Sequence, residues 1–189
     1  MNEKESFKFL ESQSAYFGVS SLANVVLEDK RFPIWSGSGH SHQHHYGKHG
    51  LIIHTAEVVE LCLNNNKLLS AGIDERELYL AGLFHDVGKT WDYEACDSDY
   101  KDWRKTPHAR HIHHVSRSAL VWNQAALEDE SFHLSKIDEI THAILAHHGQ
   151  REWGSPVMPN TKLAWMLHLC DSISARTYDA DTWDHVKNV

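Results

Sequence analysis

The sequence of 189 residues has few cysteines and no long apolar run, and each absence argues against a class of protein. Its three cysteines are widely spaced and form no CxxC motif: Cys62, Cys96 and Cys170. This argues against a disulfide framework and a cysteine-type zinc site, and favours a reducing cytoplasm. No apolar run approaches the 18 residues or so of a membrane-spanning helix. The N-terminus, MNEKESFKFLESQ, lacks the apolar stretch of a signal peptide, so we expect a cytoplasmic protein without membrane contact.

Clustered positive charge is also lacking. The formal net charge of -8 argues against an extended surface that coats nucleic acid. It leaves room for a local phosphate site built around metal ions. The sequence has no internal repeat, low-complexity tail or linker that would divide it, and its length suffices to bury a core without disulfides. We therefore expect a single domain over residues 1–189.

Histidine, in contrast, is abundant. There are 17 histidines against 18 lysines and arginines together, and they are interspersed through the chain rather than grouped as a tag. Imidazole is the commonest metal-ligating side chain and titrates near neutral pH. The histidines are therefore the first place to look for chemistry.

Apolar periodicity predicts an all-α fold, a bundle of about six to eight helices. Asp74 followed by Glu77 resembles a capping box at the start of one helix, and Gly88 is predicted to stop that helix at its C-terminus. Residues 30–50 and 91–109 are predicted to be loops, and no segment shows a sustained strand alternation. The predicted helices cover, approximately, residues 5–17, 20–29, 51–69, 75–85, 110–126, 134–147 and 160–178.

Candidate metal ligands occur on several of these helices. The pair His85-Asp86 ends an apolar helix, where an imidazole nitrogen and a carboxylate oxygen can converge on one cation, and the second oxygen can bridge another. His54 lies one turn into an amphipathic helix. Asp171 lies beside the apolar face of the last helix without a basic neighbour, and an unpaired buried carboxylate is costly. Further candidates are His114 and the pair His147-His148, so the ligands come from helices spread over the chain, as in metal sites inside bundles.

This order of residues, His…His-Asp…His…His-His…Asp, resembles the HD superfamily of metal-dependent phosphohydrolases. Three stretches are similar to HD domains of the 3′→5′ exoribonuclease or CMP-binding-factor type: HHYGKHGLIIHTAEVV, LAGLFHDVGK and ILAHHGQREWGSPVMPNTKLAWMLHLCDSISAR. The resemblance extends over residues 40–180, which would form the HD core, with residues 1–30 as an N-terminal helical extension. It implies an HD-domain helical bundle with a metal site in its core.

The resemblance also implies roles for particular residues. The four core metal ligands match His54, His85, Asp86 and Asp171, and the additional histidines of two-metal HD proteins match His114, His147 and His148. His111 is an alternative to His114, which we prefer because Ser118 supplies the small residue one turn later. The lysine that the family places near the phosphate matches Lys89. Exoribonucleases of this type carry an N-terminal OB-like domain for which this sequence is too short, which argues against processive RNA degradation.

The residues suit phosphate-ester chemistry. Histidine nitrogen with aspartate oxygen suits one or two divalent transition-metal ions, namely Mn, Fe, Co, Ni or Zn. We predict catalytic roles for Asp86, Lys89 and His114. The predicted substrate-binding residues are His45, Tyr46, Lys89 and Arg117.

Together these features predict a phosphohydrolase of the phosphodiesterase or nucleotidase class, which uses a metal-activated water on a nucleotide or short oligonucleotide. Two alternatives stay open: a non-catalytic nucleotide-binding regulatory HD module, and a di-iron oxygenase on the same fold. The oligomeric state is also open, with a homo-oligomer as one alternative. The histidines of the 30–50 segment belong either to a solvated loop or to a lid that faces the substrate: His40, His42, His44, His45 and His49. Trp35 and Trp153 flank glycine-rich loops, where they could stack on a base or belong to the core.

Overall fold

Helices dominate the structure. The computed structural model describes residues 1–41, 45–129 and 132–179, with the backbone alone for 178 and 179. Within these ranges, seven helices have eight or more residues, in agreement with the predicted all-α bundle. The elements are α1 (Glu3–Tyr16), α2 (Ser20–Leu27), α3 (Gly50–Leu68), α4 (Glu75–Phe84), α5 (Lys89–Asp92), β1 (Tyr93–Ala95), β2 (Trp103–Lys105), α6 (His108–His111), α7 (His114–Leu127), α8 (Leu134–Ala146), a 3₁₀ turn (Arg151–Trp153) and α9 (Lys162–Asp179).

Helix α4 lies at the centre of the bundle. Every residue from 77 to 84 is buried, as expected for a helix that is apolar on all sides. It packs most extensively on α3 and also contacts α1, α2, α7, α8 and α9. A Cβ on Gly82 would lie 2.8 Å from Cγ2 of Val59, so glycine permits the close approach of α3. The core therefore surrounds the helix that leads into His85-Asp86.

Asp74 caps the start of α4 as the sequence predicts, but among the described contacts Glu77 does not complete a capping box. The Asp74 carboxylate accepts hydrogen bonds from the backbone N–H groups of Arg76 at 2.8 Å and Glu77 at 3.4 Å. The Glu77 carboxylate lies 2.7 Å from Nζ of Lys136 on α8. Glu77, in the first turn of α4, thus links this helix to α8.

The segment 91–109 is more structured than the predicted loop. It contains an antiparallel hairpin, in which Tyr93 pairs with Lys105 and Ala95 with Trp103, and the short helix α6. Trp103 is buried and its ring contacts that of Trp35 edge to face, with centroids 5.2 Å apart. Strands of three residues are too short to show an alternating pattern, so they could not be predicted from the sequence.

Two local predictions about helix ends were wrong. Gly88 does not stop α4, which already ends at Phe84 with His85 as its C-cap. Gly88 instead precedes α5 with a φ of -60°, and a Cβ there would lie 2.3 Å from the His114 carbonyl oxygen. Glycine is needed because α7 begins against this backbone. Helix α7 begins at His114 rather than near residue 110, because His113 has a φ of 69° and interrupts the helical path after α6.

None of the helices in the described ranges combines the length and apolar character that crossing a membrane requires.

Candidate metal centre

The structure brings all seven predicted metal ligands together. His54 lies on α3, the pair His85-Asp86 follows α4, and His114 is the first residue of α7. The remaining ligands come from the end of α8 and the middle of α9. Among the described residues the seven form two clusters, one of His54, His85, Asp86 and Asp171 and one of His114, His147 and His148, and within each the ligating atoms lie within 4.8 Å of one another.

The first cluster is compact and almost entirely buried. Nε2 of His54 lies 3.3 Å from Nε2 of His85 and 3.1 Å from Oδ1 of Asp171. Oδ2 of Asp86 lies 3.3 Å from each of these two imidazole nitrogens. The side chain of Asp171 is 15% exposed, against 1% or less for the other three. Two nitrogens and two carboxylate oxygens thus converge on one point, a donor set that suits a divalent transition metal.

Asp86 connects the first cluster to the second. Its Oδ1 lies 3.6 Å from Nε2 of His114 and 3.6 Å from Nε2 of His147, while Oδ2 faces the first cluster. Nε2 of His148 lies 3.2 Å from that of His114. Within the described part of the chain, no hydrogen bond reaches the buried atoms Oδ1 of Asp86 and Nε2 of His147. Buried polar atoms normally have a partner, so these facing atoms fit a cation held between them.

The histidines of both clusters present the same nitrogen to the centre. In each, Nδ1 lies within hydrogen-bond distance of an oxygen outside the cluster, so that Nε2 is the nitrogen directed at the centre, as in metal-ligating histidines. For His85 and His147 that oxygen is the carbonyl three residues earlier, at 2.7 Å in both cases. The Nδ1 partners of the other three are Ser174 for His54, Asp92 for His114 and the Trp153 carbonyl for His148.

Asp92 holds His114 in place, although no motif of the sequence marks it as a functional residue. Its Oδ2 accepts hydrogen bonds from both the backbone N–H and the Nδ1 of His114, each at 2.9 Å. Its Oδ1 lies 2.6 Å from Nδ1 of His108, whose Nε2 accepts a hydrogen bond from Nε of Arg117 at 3.1 Å. Nothing in the sequence distinguishes Asp92 from the other 25 acidic residues, since its role depends on packing against α6 and α7.

A second chain of contacts supports His54. The Ser174 hydroxyl lies 3.1 Å from Nδ1 of His54 and donates to Oε2 of Glu57 at 3.0 Å. The same oxygen of Glu57 lies 3.1 Å from Nε2 of His45, whose ring centroid is 5.1 Å from that of His54. His45, a predicted substrate-binding residue, is therefore buried beside the first cluster. Its φ of 55° places it in the left-handed region, which non-glycine residues rarely occupy.

Lys89 is the cation next to Asp86. Its Nζ lies 2.5 Å from Oδ2 of Asp86, and its side chain is 10% exposed. Burial by itself would raise the pKa of Asp86, but the charge of Lys89 and the neighbouring imidazoles hold it well below its usual value. Burial likewise opposes ionisation of Asp171, and the hydrogen bond with His54 lowers its pKa. Both carboxylates are thus anionic and able to bind a cation.

Burial keeps two histidines of the second cluster neutral. It lowers the pKa of His114 to about 4, although the hydrogen bond to Asp92 opposes the shift. It lowers the pKa of His148 to about 2, where the neighbouring imidazoles of His147 and His114 act in the same direction. Neutral imidazole is the form that ligates metal ions, so these side chains are available at neutral pH.

The other predicted residues have different surroundings. His111 is exposed, and His114 is the residue that joins the second cluster. The Tyr46 hydroxyl pairs with Asp102 at 2.5 Å and accepts from the backbone N–H of Trp103, so it is held by the hairpin. Arg117 donates to His108 and lies over the ring of Trp91. It therefore belongs to the chain of contacts that reaches Nδ1 of His114 through His108 and Asp92.

The remaining histidines of the 30–50 segment differ from His45. His40 is exposed, and Nδ1 of His49 lies 2.5 Å from the Pro33 carbonyl oxygen. His42 and His44 lie outside the described residues. His45, by contrast, contacts the ring of His54 in the first cluster.

Comparison with known proteins identifies the family. The sequence model of the HD domain matches residues 51–176, which include all seven clustered ligands. The chain belongs to the HD domain family. No solved structure matches it at a significant level.

Curated relatives of this HD domain are named 3′-5′ exoribonuclease YhaM. The protein from Shouchella clausii is 32% identical over 159 residues, which cover 84% of this chain and 48% of the relative. That from Oceanobacillus iheyensis is 30% identical over 70% of this chain and 40% of the relative, and that from Bacillus subtilis is 29% identical with the same coverage. The chain thus spans less than half the length of these relatives.

Proposed function

We propose that this HD domain is a metal-dependent phosphohydrolase that cleaves phosphoester bonds in a nucleotide or short oligonucleotide. The observation that carries the proposal is the position of Asp86, whose two oxygens face two different groups of imidazoles. Divalent ions held in such paired sites lower the pKa of bound water and neutralise phosphoryl oxygens. We propose His54, His85, Asp86 and Asp171 as ligands of one ion, and Asp86 with His114, His147 and His148 as ligands of a second.

The protein's own residues supply charge and orientation around those sites. The Lys89 ammonium group lies beside Asp86, and we propose that it contacts the substrate phosphate as a positive charge. Glu57 and Ser174 orient His54, and Asp92 orients His114. Ligands whose outer contacts are fixed in this way bind metal with little reorganisation.

The relatives support the substrate class. They are named exoribonucleases, and an exoribonuclease hydrolyses phosphodiester bonds of RNA. Because the chain corresponds to less than half of those proteins, we limit the proposal to mononucleotides and short oligonucleotides.

The test combines elemental analysis with a hydrolysis screen. The purified protein is loaded separately with Mn, Fe, Co, Ni and Zn and assayed on mononucleotides, cyclic nucleotides, short RNA and bis(p-nitrophenyl) phosphate. We expect up to two ions per chain and hydrolysis of at least one phosphoester. The Asp86→Ala variant should lose both metal and activity while its helical circular dichroism persists, and Asp138→Ala, at an exposed site on α8, should match the wild type.

Three results would contradict the proposal. Full hydrolysis by Asp86→Ala would place the chemistry elsewhere. Nucleotide binding with no turnover under any metal would favour the regulatory alternative. Two iron ions per chain with a redox-sensitive visible absorption band and oxygen consumption would favour the oxygenase.

A further inference from the structure

A large aromatic side chain lies at the edge of the second cluster. Trp153, the last residue of the 3₁₀ turn, is 49% exposed, and its backbone carbonyl accepts the Nδ1 hydrogen bond of His148 at 2.7 Å. The next residue, Gly154, has a φ of 97°, and a Cβ there would lie 3.4 Å from the His113 ring and 3.5 Å from that of His148. The turn therefore packs against His113 and His148, so Trp153 lies close to the second cluster.

A cation lies against this indole. The guanidinium carbon of Arg176 is 5.6 Å from the ring centroid of Trp153. Arg176 is an exposed residue of α9, two positions after Ser174 and five after Asp171. The contact therefore joins the turn after α8 to the helix that carries Asp171.

This pair lies on the side where the centre opens. Asp171 is 15% exposed, whereas His54, His85 and Asp86 are 1% exposed or less. In the second cluster His148 is the half-buried member, whereas His114 and His147 are buried. Solvent thus reaches the clusters beside His148 and Asp171, and these are the ligands nearest in the chain to Trp153 and Arg176.

An exposed indole beside a guanidinium group is a combination that binds single-stranded nucleic acid. Any base can stack on the aromatic face, and the guanidinium group matches the geometry of a phosphate. An overall charge of -8 makes such a local cation necessary for an anionic chain to approach.

We propose that Trp153 and Arg176 form a nucleotide subsite at the mouth of the metal centre, where the indole stacks on a base of a single-stranded oligonucleotide and Arg176 contacts its backbone. The substrate class rests on the proposed function, but the subsite can be tested by binding alone. It makes recognition of the substrate depend on a base as well as on a phosphate.

The test measures the preference for bases rather than total affinity. A fluorescently labelled phosphorothioate hexanucleotide, which resists hydrolysis, and its abasic counterpart are titrated with metal-loaded protein by anisotropy. We expect the wild type to bind the base-bearing strand more tightly by about 5- to 150-fold, the range that one stacked base supplies. Trp153→Ala should abolish this preference and Trp153→Phe should keep it.

Two further variants separate the contributions. Arg176→Gln should weaken the binding of both strands by a similar factor, because a phosphate contact does not depend on the base. Trp165→Ala is the matched control: Trp165 is 47% exposed on α9, and its removal should leave the base preference unchanged.

The subsite is refuted if the wild type shows no base preference, or if Trp153→Ala retains it. It is also refuted if Trp153→Ala weakens both strands equally, since Trp153 would then only support His148. A protein that binds with base preference but hydrolyses nothing would contradict the proposed function and leave the subsite standing.

Discussion

Removal of the Asp92 carboxylate should weaken the binding of a metal ion at the second cluster and leave binding at the first cluster unchanged. Asp92 is 1% exposed and accepts three hydrogen bonds, two from His114 and one from His108. None of the ligands of the first cluster except Asp86 approaches the residues that Asp92 holds. In Asp92→Ala the His114 imidazole loses the contact that fixes its tautomer and ring orientation.

The expected magnitude follows from those contacts. Loss of an outer hydrogen-bond partner of a ligating histidine typically costs about 10- to 100-fold in metal affinity or activity. That range corresponds to about 1.4–2.8 kcal/mol. The variant also leaves the buried backbone N–H of His114 without its acceptor, which costs about 1–3 kcal/mol of folding free energy.

Asp92→Asn should have a smaller effect. Its amide oxygen can still accept both hydrogen bonds from His114, and its NH₂ group then faces Nδ1 of His108. His108 cannot easily change tautomer to accept that hydrogen bond, because its Nε2 already accepts from Arg117. The variant therefore places two donors opposite each other but keeps His114 oriented.

The assay is a competitive chelator titration that resolves the two ions, with phosphoester hydrolysis measured in parallel. We expect one ion of Asp92→Ala to bind about 10- to 100-fold more weakly than in the wild type and the affinity of the other to be unchanged. His108→Ala is the control, since it leaves the contacts between Asp92 and His114 intact. Thermal melts check that every variant is folded at the assay temperature. Wild-type affinity for both ions in Asp92→Ala would refute the reasoning.

Three further predictions follow from packing and charge. Gly88→Ala should disrupt the packing of this segment against α7, because the new Cβ would lie 2.3 Å from the His114 carbonyl oxygen. Both the melting temperature and the affinity for an ion at the second cluster should fall. Unchanged values would show that the backbone at this contact can shift to accommodate a side chain. Lys89→Gln should lower kcat/KM for phosphoesters by about tenfold or more while the protein still binds metal, since a hydrogen bond to a charged group is worth about 1.5–3 kcal/mol; full activity would remove Lys89 from the phosphate site. Trp122→Ala should lower the free energy of unfolding by about 3–5 kcal/mol, because this fully buried indole packs on Phe84 with ring centroids 5.3 Å apart. A denaturant titration that gave a smaller loss of unfolding free energy would contradict the position of Trp122 in the core.

Local patterns of the sequence were sufficient for most of the helices. The apolar spacing of residues 51–69 predicted α3 to within a residue at each end, and Asp74 marked the start of α4. Such features depend on neighbours within one or two turns, which is why they can be predicted from the chain alone. The His-Asp pair and its companions on other helices also indicated a metal centre, because few residue types ligate metals and these stood on apolar helices.

Only the tertiary structure decided how those side chains are held. The choice between His111 and His114 depends on the positive φ of His113, which ends the path of α6, and on the carboxylate of Asp92, 22 residues away from His114 in the chain. The contact of Arg117 with His108 was likewise not visible from its spacing to His114, and its predicted substrate contact stays a prediction. A pattern along one helix gives the face on which a residue lies, but the direction of a hydrogen bond depends on which other segment packs against that face. The residue types of the centre can therefore be predicted from the sequence, whereas the orientation of their side chains depends on how the helices pack.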